Sequence, residues 1–160
     1  MTLRRATEDD FAPLTVLWAE GWDAGHLKHA PKALAKLRTA ASFHMRLRNF
    51  GDDLMVTGER GAPTGFVAFK GDHIDQFYVR LDQRGTGLAA QLMQAAEAEL
   101  MNRGYQVGVL DCATKNERAR AFYEKAGWVE RGIEEITVDT SAGPFTLRAH
   151  VYEKPLRNTD

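Results

Sequence analysis

Apolar positions change their period along this chain, and each change marks an element. Leu3 to Ala6 reads as a short first strand. Thr7, with Asp10 three residues on, has the hydroxyl-and-carboxylate form of a helix start. Phe11, Leu14, Leu17 and Trp18 then recur at helical spacing. Leu34, Leu37, Ala41 and Met45 place a second helix over Lys32 to Leu47. Between the two, Gly21-Trp22-Asp23-Ala24-Gly25-His26 reads as a glycine-bounded loop. Three strands follow, over Asp53–Gly58, Thr64–Phe69 and Ile74–Val79, separated by turn residues at Arg60–Pro63 and Gly71–Asp72. Such short connections make antiparallel hairpins.

The helical period returns over Leu88 to Asn102, where Leu88, Leu92, Ala95, Ala96 and Leu100 form a stripe and Gly104 supplies the stop. A strand over Tyr105–Asp111 must pair across that helix by a crossover, hence in parallel. Asn116 caps a short helix through Lys125, ended by Gly127. Val129–Val138 and Phe145–Glu153 close the chain as a hairpin around Ser141-Ala142-Gly143-Pro144. The predicted order is βααβββαβαββ. This is an α/β (α+β) fold: a mixed, mostly antiparallel central sheet with one parallel strand pair and helices on both faces.

Composition narrows the setting. A chain of 160 residues is the length of one domain, and 44% hydrophobic residues are enough for a core of its own. No linker, repeat or biased tract divides residues 1–160. The formal net charge of −1 lacks the basic excess of a nucleic-acid binder. No apolar run approaches the ~20 residues of a membrane span. The start of the chain turns acidic at Glu8, where a signal peptide would turn apolar. The lone cysteine, Cys112, excludes an intramolecular disulfide and fits a reducing compartment. A cytoplasmic protein is expected, with neither nucleic acid nor membrane as partner; a homodimer is left open.

Gln83-Arg84-Gly85-Thr86-Gly87-Leu88-Ala89 carries strand into helix. A helix start offers unpaired amides and the positive end of the dipole, and small residues let a phosphate approach them. The same glycines also serve a plain tight turn. Gly85-x-Gly87-x-x-Ala90, with Asp111 roughly 20 residues further on, fits a dinucleotide fingerprint as well. Against that reading, the fingerprint normally opens its domain, whereas here antiparallel hairpins precede it.

A second segment is more specific: Asn116-Glu117-Arg118-Ala119-Arg120-Ala121-Phe122-Tyr123-Glu124-Lys125-Ala126-Gly127-Trp128. Together with the glycine turn it resembles the GCN5-related N-acetyltransferase (GNAT) superfamily, in element order over most of residues 2–154. The resemblance implies an acetyl-CoA-dependent transfer of an acetyl group to a primary amine. The acceptor is a small molecule or an exposed protein or peptide amine, and transfer is direct. Residues 73–128 would form the cofactor-binding core and 7–52 the variable substrate side. Arg84, Gly85, Thr86, Gly87, Leu88 and Ala89 resemble the pyrophosphate loop. Phe77, Tyr78 and Val79 resemble the strand whose backbone pairs with the pantetheine arm. Asn116 and Tyr123 fall in the second half of the cofactor site, with Tyr123 as proton donor to the leaving thiolate.

Family members often carry a glutamate near the start of the pantetheine strand, and here His73 stands at about that place. Strand alternation puts His73, Asp75, Phe77 and Val79 on one side, so His73 or Asp75 is the candidate base. Trp22 and His26 are the candidate substrate contacts; packing of Trp18 and Trp22 against the sheet is the alternative. The spacing of His26, His29 and His44 does not read as a metal site, and no metal is expected. Cys112 reads as a small buried filler. A non-catalytic CoA-binding module of the same fold stays open, because the glutamate is missing.

Overall fold

The computed structural model describes residues 1–157. Seven strands form one sheet in the order β1-β2-β3-β4-β5-β7-β6. They are β1 Arg4–Arg5, β2 Leu54–Glu59, β3 Ala62–Lys70, β4 His73–Val79, β5 Val107–Ala113, β6 Val129–Val138 and β7 Phe145–Pro155. Every neighbouring pair is antiparallel except β4 and β5. The helices are α1 Phe11–Trp22, α2 Lys32–Leu37, α3 Ala40–Phe50, α4 Leu88–Asn102 and α5 Glu117–Lys125. With a single parallel pair, the sheet is not assembled from the repeated βαβ units of a dinucleotide-binding domain.

Each face of the sheet carries its own core. On one face, α4 brings Leu92, Met93, Ala96 and Leu100 onto Val67, Phe69, Ile74 and Leu110, and α5 adds Phe122, Tyr123 and Ala126 at its edge. On the other, Leu14, Leu17 and Trp18 of α1 meet Phe43 and Leu47 of α3 over Leu54, Val56 and Phe66. Trp18 is fully buried at the centre, its ring 4.9 Å from that of Phe43 and 5.4 Å from that of Phe66. Side chains alternate across a strand, so neighbouring strand residues serve different cores.

The helix expected over Lys32 to Leu47 is broken. Arg38 leaves the helical region at φ −88°, ψ 69°, and the Thr39 hydroxyl accepts a hydrogen bond from the Ser42 amide at 3.1 Å to start α3 afresh. The break resets the phase. Leu34 stays inward, but Ala41 and Met45 face solvent while Ser42, Phe43, Arg46 and Leu47 are buried. The segment 21–26 is likewise not a loop: α1 continues into a π-helical turn over Asp23–Leu27. The first strand is reduced to Arg4–Arg5, and β5 starts at Val107 rather than Tyr105.

The expected helix start at Thr7 forms, and it is also a tertiary anchor. The fully buried Asp10 carboxylate accepts from the Thr7 amide at 2.7 Å and the Gly61 amide at 2.9 Å. Arg4 grips it with both terminal nitrogens, at 2.7 and 3.0 Å. Asp10 thus ties β1, the head of α1 and the β2–β3 turn together. Burial pushes this carboxyl up, but the bonds from Arg4, Thr7 and Gly61 outweigh it and hold it well below the usual carboxylate range.

A carboxyl depressed in the folded state adds stability above its unfolded pKa of ~4, and that stability is lost as pH falls through the folded value. Asp10→Ala is expected to cost about 2–4 kcal/mol by leaving Arg4 and two amides unpaired, measured by urea unfolding at pH 7. Asp10→Asn should flatten the acid side of the stability–pH curve; an unchanged curve would remove Asp10 from this role.

Candidate active site

The parallel pairing of β4 with β5 is brief. Only His73↔Val109 and Ile74↔Leu110 are in register, and the strands then separate. A second irregularity lies on the other side of β4. Ala68 pairs with Gln76 and Phe69 with Ile74, so Asp75 has no partner on β3. This is a β-bulge, with the extra residue at Asp75. Ahead of the bulge β4 is held on both sides; beyond it, the edge facing β5 is free of ladder bonds.

A cleft of about 1250 Å³ fills the gap. It runs from Gln83, Arg84, Gly85, Gly87, Ala89 and Ala90 at the head of α4, past Phe77–Val79 and Leu110–Ala113, to Trp22, His26, Arg38 and Arg46 on the opposite face. The cleft therefore passes through the sheet from one core to the other.

The bulge overturns the expected common face of His73, Asp75, Phe77 and Val79. Ile74, Phe77 and Val79 all pack in the α4 core, while Tyr78 joins the α1 core. Strict alternation would set Ile74 opposite Phe77; the extra residue reverses the side. Asp75 lies in a hollow lined by Arg46 and Asn49 of α3 and by Asp139. His73 sits before the bulge, paired to β5, with its Nδ1 2.7 Å from Asp72. Asp75 reaches the cleft lining and His73 does not.

The glycine turn is built as its sequence implies. Gly85 and Gly87 have φ of +80° and +84°, which other residues adopt only with strain. A Cβ at either would meet nothing within 4 Å, so both flank open space. Thr86 turns away, its hydroxyl donating to the Gln83 carbonyl at 2.6 Å. The first intrahelical bond runs from Gln91 to Gly87, leaving the Ala89 and Ala90 amides outside the ladder, while the Leu88 amide donates to the Thr86 hydroxyl at 3.3 Å. Arg84 is joined there by Arg118: burial and the neighbouring Arg118 charge lower the Arg84 pKa. Arg118 was not singled out from the sequence, although it lies two residues past Asn116 in the same segment.

Asn116 caps α5, its Oδ1 accepting from the Ala119 amide at 3.3 Å. Its Nδ2 lies 3.2 Å from where a Cβ on Gly25 would stand. The π-helical turn therefore reaches across to α5, and Gly25 makes the approach possible. Four residues earlier in the same helical run, near the end of α1, a Cβ on Gly21 would fall 2.6 Å from the Tyr78 ring. Two glycines thus let one helix close on both walls of the cleft.

Tyr123 lies mid-cleft, its ring 5.5 Å from that of Phe122 and 6.0 Å from that of Tyr152. Burial, reinforced by Cys112, Tyr78 and Tyr152, pushes its phenol up, so it keeps its proton at neutral pH. Tyr78 is pushed up to about 12 by burial, against the pull of Arg46 and Arg38. Burial raises the Cys112 thiol to about 12 as well, which removes the thiolate a covalent acyl-enzyme would need. Burial, with Arg38 nearby, lowers His26 to about 4 and holds its ring neutral, stacked 5.8 Å from Trp22. Trp22 is 6% exposed and belongs mostly to the core, while still lining the cleft.

Asp111, the acid of the dinucleotide fingerprint, is raised first by burial and feels His73, Asp75 and Glu134 rather than the glycine turn. Among the described residues no group of histidine, cysteine and carboxylate side chains is arranged to hold a metal ion. No helix among them is long and apolar enough to cross a membrane.

Known proteins share this fold. Over 150 residues the chain is 27% identical to the peptidyl-lysine N-acetyltransferase YjaB of Escherichia coli, covering 92% of this chain and 93% of that protein. Its fold matches a GCN5-related N-acetyltransferase from Rhodopseudomonas palustris with a TM-score of 0.72 at 23% identity, over 97% and 95% of the two chains. It also matches the PaiA N-acetyltransferase of Thermoplasma acidophilum, solved with coenzyme A, with a TM-score of 0.66 at 14% identity, over 97% and 99%. The family model of the acetyltransferase (GNAT) domain matches residues 25–142. The divided sheet, the glycine turn and this match lead to one conclusion: the chain belongs to the GNAT acetyltransferase family, whose reaction is acetyl-CoA-dependent N-acetylation.

Proposed function

We propose that the protein transfers acetyl directly from acetyl-CoA to the ε-amine of a lysine, free or in a peptide. The observation that carries this is the gap between β4 and β5, which joins an anion cradle on one face to a polar hollow on the other. In this reading the α4 amides, with Arg84 and Arg118, hold the pyrophosphate. The unladdered edge of β4 at Phe77–Val79 pairs with the pantetheine amides. The thioester then lies between Tyr123, Cys112 and the bulge, and Asn116 and Gly25 close the cleft above it. The lysine acceptor class is supported by the name of the curated relative.

The acceptor must lose a proton to attack. One ammonium proton leaves through water to Asp75; the neutral nitrogen then forms the C–N bond as the C–S bond breaks, the thiolate takes the Tyr123 proton, and the second nitrogen proton returns to Tyr123. A backbone amide beside the bulge is the donor for the oxyanion. Asp75 is preferred to His73 as base because it lines the cleft. The family match, set inside a sheet that runs from Arg4 to Pro155, supports one domain over residues 1–160. A lone buried cysteine supports a cytoplasmic setting.

Gly87→Glu puts a carboxylate into the open space at the helix start. Acetyl-CoA affinity should fall by about 100-fold or more while the far-UV spectrum is kept; calorimetry showing unchanged affinity would take the loop out of the site.

Tyr123→Phe removes only the hydroxyl. Turnover should fall by about 10²–10⁴ with acetyl-CoA binding intact, read by thiol release where chemistry is rate-limiting. Wild-type turnover would make Tyr123 a packing residue, and a wild-type protein that binds acetyl-CoA without turnover would favour the non-catalytic module.

Asp75→Asn should abolish the acidic limb of the pH–rate profile, measured with an acceptor of known amine pKa so that amine protonation is subtracted. Loss of that limb in His73→Gln, and not in Asp75→Asn, would transfer the role to His73.

A further inference from the structure

The acceptor end of the cleft holds a buried charge without a counter-ion. Arg46 is 6% exposed, and among the described residues it forms neither a hydrogen bond nor an ion pair. Its guanidinium carbon lies over the Trp18 ring, 4.3 Å from the centroid. Arg38 stands beside it on the lining. One terminal nitrogen donates to the Asp139 carbonyl at 2.7 Å, and its Nε is buried without a partner. The carboxylates nearby do not pair with either arginine. Asp139 is 3.7 Å from Lys70, and Asp75 accepts only a 3.4 Å bond from Gln76.

Taking a charge out of water without compensation costs several kcal/mol, so such a group normally has a partner. Here the missing partner is on the open side: both arginines face the cleft that also holds Trp22, His26 and Tyr78. Cation–π contact with Trp18 holds the Arg46 guanidinium in position and satisfies none of its N–H donors. A guanidinium with free N–H groups matches a carboxylate in two parallel hydrogen bonds. A phosphate dianion would meet more repulsion from Asp75 and Asp139 in the same hollow than a carboxylate monoanion.

We infer that Arg46, seconded by Arg38, is an anion subsite that selects amine acceptors carrying a carboxylate near the reacting amine. This rests on the acetyltransfer reading above and adds the acceptor's second recognition element. It also gives Trp18 a function beyond packing, as the platform that orients Arg46.

Matched acceptors test it. One pair is Nα-acetyl-lysine and Nα-acetyl-lysinamide, which differ only in the main-chain carboxylate. The other is acetyl-Glu-Lys-amide and acetyl-Gln-Lys-amide, which moves the carboxylate to a neighbouring side chain. In at least one pair the acid should be preferred in kcat/KM by about 10-fold or more, carried by KM, the size of one charge-assisted hydrogen bond. Arg46→Gln should reduce that preference to about one while acetyl-CoA affinity stays within about two-fold. Arg38→Gln should give a partial loss, and it covers the case in which the Arg46 variant does not fold. Equal rates within both pairs, or a preference that survives in Arg46→Gln, would overturn the subsite.

Thermal shift with glutarate on the CoA-loaded protein reads the subsite without turnover. The wild type should be stabilised and Arg46→Gln not. If no acceptor is acetylated yet glutarate stabilises only the wild type, the lysine reading fails and the anion subsite stands. If acceptors are acetylated and glutarate does nothing to the wild type, the reverse holds.

Discussion

Two residue pairs join β4 to β5, and the rest of the site depends on their being so few. A strand inside a sheet normally spends both rows of its backbone groups on neighbours. Past Ile74, β4 keeps one row for β3 and leaves the other facing a cleft. An unpaired backbone group sealed from water costs about 1–3 kcal/mol. That row must therefore stay open to water or to a ligand. The opening is a requirement of the hydrogen bonding, and the fold places helices so as to line it without closing it.

The cleft crosses the sheet, so its two ends inherit the character of two different cores. The α4–α5 face is rich in small residues and free amides, suited to a long anionic ligand. The α1–α3 face is aromatic, with two arginines pressed into it. Phe77 and Tyr78 are adjacent in sequence yet belong to opposite sides, Phe77 stacked on Phe122 and Tyr78 on Phe66. The bulge at Asp75 sets which β4 residue faces which side. It converts a regular strand into a junction between the two ends of the cleft, at the cost of one unpaired position.

What the sequence made legible was local. Gly85, Gly87, Thr7 and Asn116 act through their own φ angles or through bonds within a few residues, and each forms as its spacing implied. Helix α4 was placed from Leu88 to Asn102, because an uninterrupted amphipathic run between two glycines admits little else. Two failures are local, the cap at Thr39 and the π-helical turn after α1, and the others involve partners distant in the chain. Thr39 restarts a helix inside a pattern that reads as continuous, and the register of Phe43 and Arg46 shifts with it. The bulge at Asp75 is visible only once β3 is paired with β4. Arg46 falls on what becomes a buried face, and nothing near it in sequence announces that no acid comes to meet it.

Lys154 shows what the cofactor half gains from its framing. This β7 lysine reaches the Glu97 carboxylate on α4 and donates to the Ala126 carbonyl, just past the end of α5, at 2.7 Å. A residue from a third element thus clamps the two helices that would flank a nucleotide. The clamp holds α4 in its second half and α5 at its C-terminal end, away from the glycine turn, so the helix heads are fixed without contact with what they would bind. Ordering that a ligand would otherwise have to impose is already present in the empty protein, and the entropy it would cost was spent during folding. On the acceptor side the link between elements is the Arg38 bond to the Asp139 carbonyl. One part of that side's wall is α1, extended by an irregular turn and leaning on two glycines, so whatever freedom the cleft has to change shape is concentrated at that wall and away from the clamped end.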